Sequence, residues 1–513
     1  MIENLLIGFK ISLSFHNLIY CTVGCLLGQI IGVLPGLGPT ATIALLLSLT
    51  YHLDVTSGII MLAGIWYGSM YGGTITSVLL KIPGEPSSVV TILEGNKMAL
   101  RGEAGKALGI AAFGSFIAGT FGTIMLSAVA IPLSGFAIMF GPAEYAALMV
   151  LGLNLVIYLG SRSAVKSMLM GALGLAISTI GMEQITATER FTFGSKTLVG
   201  GIDLALIAMG LFGISEVLLM AEGGKERSAR EAVKCPSRLR ELLPNLKDWK
   251  RSVLPIARGT LLGFTFGMIP GGGATISSFA SYALEKKLSK NPIPFGEGAI
   301  EGIAGPESSN NSASSGMFIP LLTLGIPTNA VMALLLGAFM IHGVVPGPFI
   351  LDQNPGIFWG IVTSMYIGNI ILLILNIPLI RFFVKILEVP ISVLSPLIIV
   401  VCVIGAFSIN NNATDILIMF AFGGVGYLMK KLDFEPAPLI LGCVLGRMLE
   451  KSFRQSLIMS HGSLAIFMER PIARIFAVTA ILLFFFPMVT GFLKRRRLIT
   501  VLDKIKESAS QSD

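Results

Sequence analysis

Residues 107–133 (ALGIAAFGSFIAGTFGTIMLSAVAIPL) run for 27 positions without an Asp, Glu, Lys or Arg. That exceeds the roughly 20 apolar residues needed to cross a bilayer core. Comparable runs occupy 360–380, 390–409 and 473–493. The 513-residue chain is 53% hydrophobic and only 13% charged, against about 25% charged in a typical soluble domain. Lipid offers no partner to free backbone groups, so the spanning segments must be helices. The expectation is an all-α polytopic membrane protein with about 10–14 transmembrane or re-entrant helices.

The net charge of +8 is not spread as a nucleic-acid-binding stripe. It collects at 225–251 and in the run Lys494, Arg495, Arg496, Arg497, and basic loops beside spans mark the cytoplasmic side. The opening MIENLLIGFKISLSFHN lacks a small-residue cleavage site and reads as an amphipathic interfacial helix, not a removable signal. The five cysteines form no CxxC pair and read as small buried hydrophobes; the four histidines fall in no metal-binding spacing. No metal centre or cofactor is expected.

The chain repeats itself. GQIIGVLPGLGPT at 28–40 lies over GFTFGMIPGGGAT at 263–275, sharing GxxxGxxPGxGxT without a gap. GGTITSVLLKIP at 72–83 lies over GMFIPLLTLGIP at 316–327, and the next long spans open on Gly109-Ile110 and Gly360-Ile361. Three landmarks in one order point to duplication. The expected organisation is a first membrane unit at 1–220, a basic cytoplasmic linker at 221–252, a second unit at 253–453, and an additional span with a basic tail at 454–513. With linker and tail on the same side, an odd number of crossings per unit makes the repeats inverted.

Pro35, Pro39 and Pro270 forbid continuous helix where these units cross the membrane. Gly36, Gly38 and the glycines at 271–273 allow positive φ and close approach. Helices resuming near Thr40 and Thr275 would aim free N–H groups at the break, a setting for an anion. Paired Gly/Pro interruptions at matching places in two halves are the sequence mark of a transporter site. Three further stretches read as polar breaks: 81–91 (KIPGEPSSVVT), 325–330 (GIPTNA) and the serine-rich 300–316 (IEGIAGPESSNNSASSG), where side-chain oxygens and freed carbonyls could hold Na⁺ or a carboxylate could hold a proton. Tyr67 and Tyr71 place two phenols among glycines. The isolated charges Glu144, Asp203, Glu216, Arg447 and Glu450 are candidates for function or for structural pairing.

These motifs, with EGNKMALRGEAGKALGIAAFGSFIAG, FGEGAIEGIAGPESSNNSASSGMFIPLLTLGIP and GAFMIHGVVPGPFI, resemble the large membrane subunit of the tripartite tricarboxylate transporter family, the TctA family. The resemblance covers nearly the whole chain. It departs at EGNKMALRG and in the serine-rich SSNNSASSG.

The resemblance implies binding-protein-dependent secondary active uptake of an organic tri- or dicarboxylate across a bacterial inner membrane, driven by Na⁺ or H⁺. It implies two partners, a small four-span TctB-like subunit and a periplasmic TctC-like solute-binding protein. It places substrate contacts at Pro35, Gly36, Leu37, Gly38, Pro39 and Thr40, and at Pro270, Gly271, Gly272, Gly273, Thr275, Ser277 and Ser278. Cation binding or coupling falls to Glu307, Asn310, Asn311, Thr328 and Asn329. The alternative is an uncoupled anion channel or permease, whose selectivity would rest on pore-lining groups alone. An enzyme is not expected: the chain has no GxSxG elbow and no paired His–Glu metal motif.

Overall fold

The computed structural model describes residues 2–34, 38–159, 163–183, 185–222, 239–289, 293–380, 382–383 and 391–485. It is an all-α polytopic membrane protein. Among the described residues five helices are long and apolar enough to cross a membrane, and six shorter apolar helices accompany them. The described strands form one small hairpin, Gly181–Met182 against Glu189–Arg190. The apolar run at 107–133 lies within a single helix, Ala104–Ala137.

The landmarks that match in sequence also match in structure. In the first half, α1 (Ile2–Ser12) precedes α2 (Phe15–Val33), which ends at the first Pro-Gly stretch; α3 (Pro39–Thr50) and α4 (Val55–Leu80) follow. A second interruption separates α4 from α5 (Val89–Leu100), and α6 (Ala104–Ala137) comes next. In the second half the same order recurs. It runs α7 (Leu246–Gly267), interruption, α8 (Gly273–Leu288), α9 (Glu301–Gly316) continuing into α10 (Phe318–Leu324), interruption, α11 (Ala330–Ile341) and α12 (Pro355–Asn376).

Glycine explains how each half packs. Gly24, Gly28 and Gly32 of α2 lie against the carbonyls of Met61, Ile65 and Ser69 of α4, so closely that an added Cβ would collide with each. Gly259, Gly263 and Gly267 of α7 meet the carbonyls of Gly305, Ser309 and Ala313 of α9 in the same way. Both contacts advance by four residues on both helices, so each pair is parallel. Small residues every fourth position let membrane helices approach at backbone distance. The chain between each pair must therefore turn back: α3 returns to the start of α4. Likewise α8 returns to the start of α9, with Glu285 near its end accepting two hydrogen bonds from Arg258 at 2.7 and 2.5 Å.

The second interruptions are also built alike. Lys81 and Gly325 both end their helices in the left-handed region, at φ 58° and 69°. In each, the next amide reaches back six residues: Ile82 N–H to Thr76 O at 3.4 Å and Ile326 N–H to Pro320 O at 3.0 Å. Both are left-handed helix stops closed by a bond one residue longer than the Schellman 6→1.

The two halves run in opposite directions. Trp66 of α4 donates to the carbonyl of Ser314 at 3.4 Å, while Thr74, two turns further along α4, donates to Glu307, two turns earlier on α9. Past α5, Arg101 donates to the carbonyls of Glu297 and Gly298 just before α9. At the other end, His342 after α11 approaches Gly58 at the start of α4. Each broken helix therefore ends where the other begins.

Some local expectations are corrected. The stretch 300–316 is not a solvated break: Glu301–Gly316 is helix, and each of its residues is buried. Most of its carbonyls are engaged in the helix ladder; Pro306 and Pro320, which lack an N–H, leave those of Gly302 and Gly316 without an i+4 amide. The reading of 221–252 as a linker overlaps α7, which begins at Leu246 on an Asn245 cap that accepts from Lys247 N and Asp248 N; residues 223–238 lie outside the described set. Helix α1 docks along α12, with Gly8 against Trp359 and Ser12 accepting from Thr363 at 3.0 Å. Of the last apolar run, Pro471–Phe485 is helical and the remainder, with the basic tail, lies outside the described residues.

Candidate functional site

A cavity of about 780 Å³ lies where the interruptions of both halves converge. Pro39 and Thr40 wall it from the first break, Gly271, Gly272, Gly273 and Thr275 from its counterpart. Glu85, Pro86 and Ser87 come from the interruption after α4, and Thr328 and Asn329 from the one after α10. Trp66 and Glu435 complete the wall. Pro, Gly and αL stops are why these segments leave the helix. Being buried among other helices is why bare backbone survives there.

The local chemistry follows from these turns. Gly271 and Gly273 hold φ of 77° and 54°, which side-chain-bearing residues adopt at a cost. The Gly271 N–H donates to the Thr328 carbonyl at 2.9 Å, tying the two interruptions of the second half together. Asn329 caps α11 by accepting from Met332 N at 2.8 Å, and its amide reaches Met317 Sδ at 3.3 Å. The Thr328 hydroxyl is buried with no hydrogen-bond partner among the described residues. The same holds for Glu85 Oε1, on a side chain only 4% exposed. The described residues lining the cavity include two carboxylates and no Lys, Arg or His.

Other expected site residues sit elsewhere. Pro35, Gly36 and Leu37 lie outside the described residues. Gly38 is the N-cap of α3 at φ −85°, with nothing within 4 Å of an added Cβ, so no positive φ demands glycine there. Ser277 and Ser278 bond back to Ala274 O at 2.9 Å, and Ser278 also reaches Pro306 O; neither lines the cavity. Nor does Pro270.

Glu307, Asn310 and Asn311 form a separate buried cluster between the halves. Glu307 is fully buried and accepts from Thr74 Oγ1 at 2.7 Å, from Thr91 Oγ1, and from Asn310 Nδ2 at 3.3 Å. Asn311 donates to Ser115 Oγ at 2.7 Å and to Asn310 Oδ1 at 2.6 Å. The hydroxyls of Ser308, Ser309 and Ser312 on the same helix have no partner among the described residues. Tyr71 bonds Asn369, whose amide reaches Phe116 O and Thr120 Oγ1.

Most isolated charges prove to be paired. Glu144 meets Arg470 at 2.7 Å, Glu216 meets Lys430, Glu450 meets Arg190 at 2.7 Å, and Asp203 caps a helix through Ala205 N. Among the described residues Arg447 makes no ion pair or hydrogen bond, and Asp203 lies within its electrostatic reach. Among the cavity residues that sequence reasoning passed over are Trp66, Val156, Glu435 and Pro438, which sit in no motif. Glu85 stood inside the IPGEPSS break, and its unpaired oxygen is visible only in three dimensions.

Two oppositely directed broken-helix units, meeting on one cavity within an apolar helical body, define a membrane transport protein. The chain belongs to the tripartite tricarboxylate transporter TctA family, whose description matches residues 18–441. It is 47% identical over 473 residues to an uncharacterised 52.8 kDa protein of Agrobacterium vitis, covering 92% of this chain and 93% of that one. A second uncharacterised protein of Agrobacterium vitis is 52% identical over 211 residues, 41% of this chain and 87% of the relative. No solved structure matches.

Proposed function

We propose that this chain is the large membrane subunit of a secondary active system that takes up an organic tri- or dicarboxylate across a bacterial inner membrane, driven by Na⁺ or H⁺. It works with a four-span TctB-like subunit and a periplasmic TctC-like binding protein. Its units are 1–220 and 253–453, with the basic stretch 221–252 between them, whose end at 246–252 already belongs to α7, and 454–513 after them. The end carrying Arg101, Lys106, Arg251, Lys286 and Lys430 is cytoplasmic by its charge.

One observation carries the reading: the cavity of four interruptions has bare backbone, hydroxyls and two glutamates, yet no basic side chain among its described residues. Backbone amides can hold a carboxylate. Glu85, buried with one oxygen unpartnered among the described residues, would repel it when ionised. Anion binding therefore needs positive charge brought from outside, and a co-bound Na⁺ or a proton supplies it. That requirement couples the two solutes. Glu307, held by two hydroxyls of the first half and the Asn310 amide of its own, is the second place where a proton or cation can act.

The test is [14C]citrate uptake into vesicles containing this chain, the small subunit and the binding protein. Uptake that rises with an inward Na⁺ or proton gradient, and that fails without the binding protein, supports the proposal. Uptake indifferent to both gradients would establish the uncoupled channel instead.

A further inference from the structure

The geometry points to a second anion site, distinct from the central cavity: a vestibule at the opposite end of α11, built around Arg447 and Lys196 to hold a small polycarboxylate.

Helix α11 carries Ala330 and Val331 into the central cavity, and Met340 and Ile341, ten residues on, into another cavity of about 550 Å³. At 1.5 Å per residue that is about 15 Å further along the helix. The stretch 195–203, which follows the hairpin and contains the short helix Lys196–Val199, and the helix Pro436–Met459 close this second space. A smaller cavity of about 330 Å³ adjoins it and shares Ser178, Gly200 and Arg447.

Charge in this region is unevenly committed. Glu450 takes both terminal nitrogens of Arg190, at 2.7 and 3.0 Å, and Arg454 at 3.1 Å. Glu183 accepts from the amides of Ile185 and Thr186 and from the Thr186 hydroxyl, which hold its carboxyl down at about 2. Asp203 accepts from Ala205 N at 2.7 Å and lies within electrostatic reach of Arg447, without a hydrogen bond between the two. Every acid lining the two cavities thus has its donors. Arg447, Lys196 and Lys451 make no hydrogen bond or ion pair among the described residues. Arg447 is half-buried, and a free guanidinium there is held by the fold itself: Gly201, at φ 80°, leaves the space it fills, and a Cβ at that position would collide with it.

A guanidinium with its fork of donors open, and an ammonium across the same space, suit two carboxylates of one molecule. Asn412 lies in the same wall. The binding stands on this geometry; its role, receiving the anion on the face opposite the cytoplasm before it passes inward, rests on the transport reading above.

The test uses the full chain in nanodiscs with Cys235→Ser and an environment-sensitive fluorophore on Thr197→Cys, titrated with citrate. The expected result is a saturable response whose half-saturating citrate rises about tenfold in Arg447→Gln, rises less in Lys196→Gln, and recovers in part in Arg447→Lys. No response to citrate, or an unchanged titration in both neutralised variants, would overturn the site. A response to polyglutamate without one to citrate would overturn the small-anion assignment in favour of an acidic protein surface. Gradient-driven uptake is measured on the same protein variants reconstituted into vesicles with the small subunit and the binding protein. A citrate response without driven uptake keeps the vestibule and rejects the transport reading; driven uptake without a citrate response does the reverse.

Discussion

Thr74 Oγ1 of the first half donates to Glu307 Oε2 of the second across 2.7 Å, and neither residue is more than 4% exposed. Thr91 and Asn310 add donors to the same carboxylate. Helices from oppositely directed halves are thus fastened at a group able to bind a proton or a cation. Glu307→Gln keeps the shape but can no longer change charge. Gradient-driven citrate uptake is expected to fall at least about tenfold, while citrate exchange across the membrane without a gradient survives. Equal loss of both activities would count against a coupling role.

Asn310 donates to that carboxylate, and Asn311 donates in turn to Asn310 Oδ1. Their replacement by alanine is expected to raise the Na⁺ or H⁺ concentration needed for half-maximal uptake. An unchanged cation dependence would remove them from this role.

Glu85 presents an unpartnered oxygen in a cavity that lacks a basic side chain among its described residues. In Glu85→Gln one repulsive charge is gone. Citrate binding to the purified protein without added Na⁺, measured by calorimetry, should tighten, and its enhancement by Na⁺ or acid should shrink. Weaker binding under both conditions would show that Glu85 is not the charge the cation offsets.

Backbone conformation separates two glycines that look alike in sequence. Gly273 sits at φ 54° and Gly38 at −85°, with open space around the latter. Gly273→Val should cost about 1–2 kcal/mol locally and abolish uptake while the protein still inserts. Gly38→Val should retain most uptake, a contrast read in one vesicle assay.

Gly263 of α7 lies against the Ser309 carbonyl of α9, and Gly28 of α2 against Ile65 of α4. Gly263→Leu or Gly28→Leu would force each parallel pair apart, at about 1–3 kcal/mol. Both should lower the melting temperature in detergent. Wild-type melting in both would refute the packing.

The residues explain why some of this could be read in advance. Proline and the left-handed stops act locally, so Pro39, Pro270 and the Ile-Pro pairs announce helix ends wherever the chain folds. The glycine rows were visible as GxxxG, but their service as a packing seam depends on which helix lies opposite. The stretch 300–316 misled because Ser, Asn and Gly are poor helix formers in water; burial between α7 and α6 leaves the helix ladder as the only way to satisfy that backbone. Trp66 and Glu435 reach the cavity from distant parts of the chain, which no local pattern encodes.

The central claim is that the matching breaks of both halves face a single bound anion. Thr40→Cys and Thr275→Cys, each introduced singly with Cys235→Ser, can be timed against a charged thiol reagent with and without citrate and Na⁺. The account predicts that citrate slows labelling at both positions, and more so with the coupling cation present. Protection at one position alone, or at neither, would contradict it.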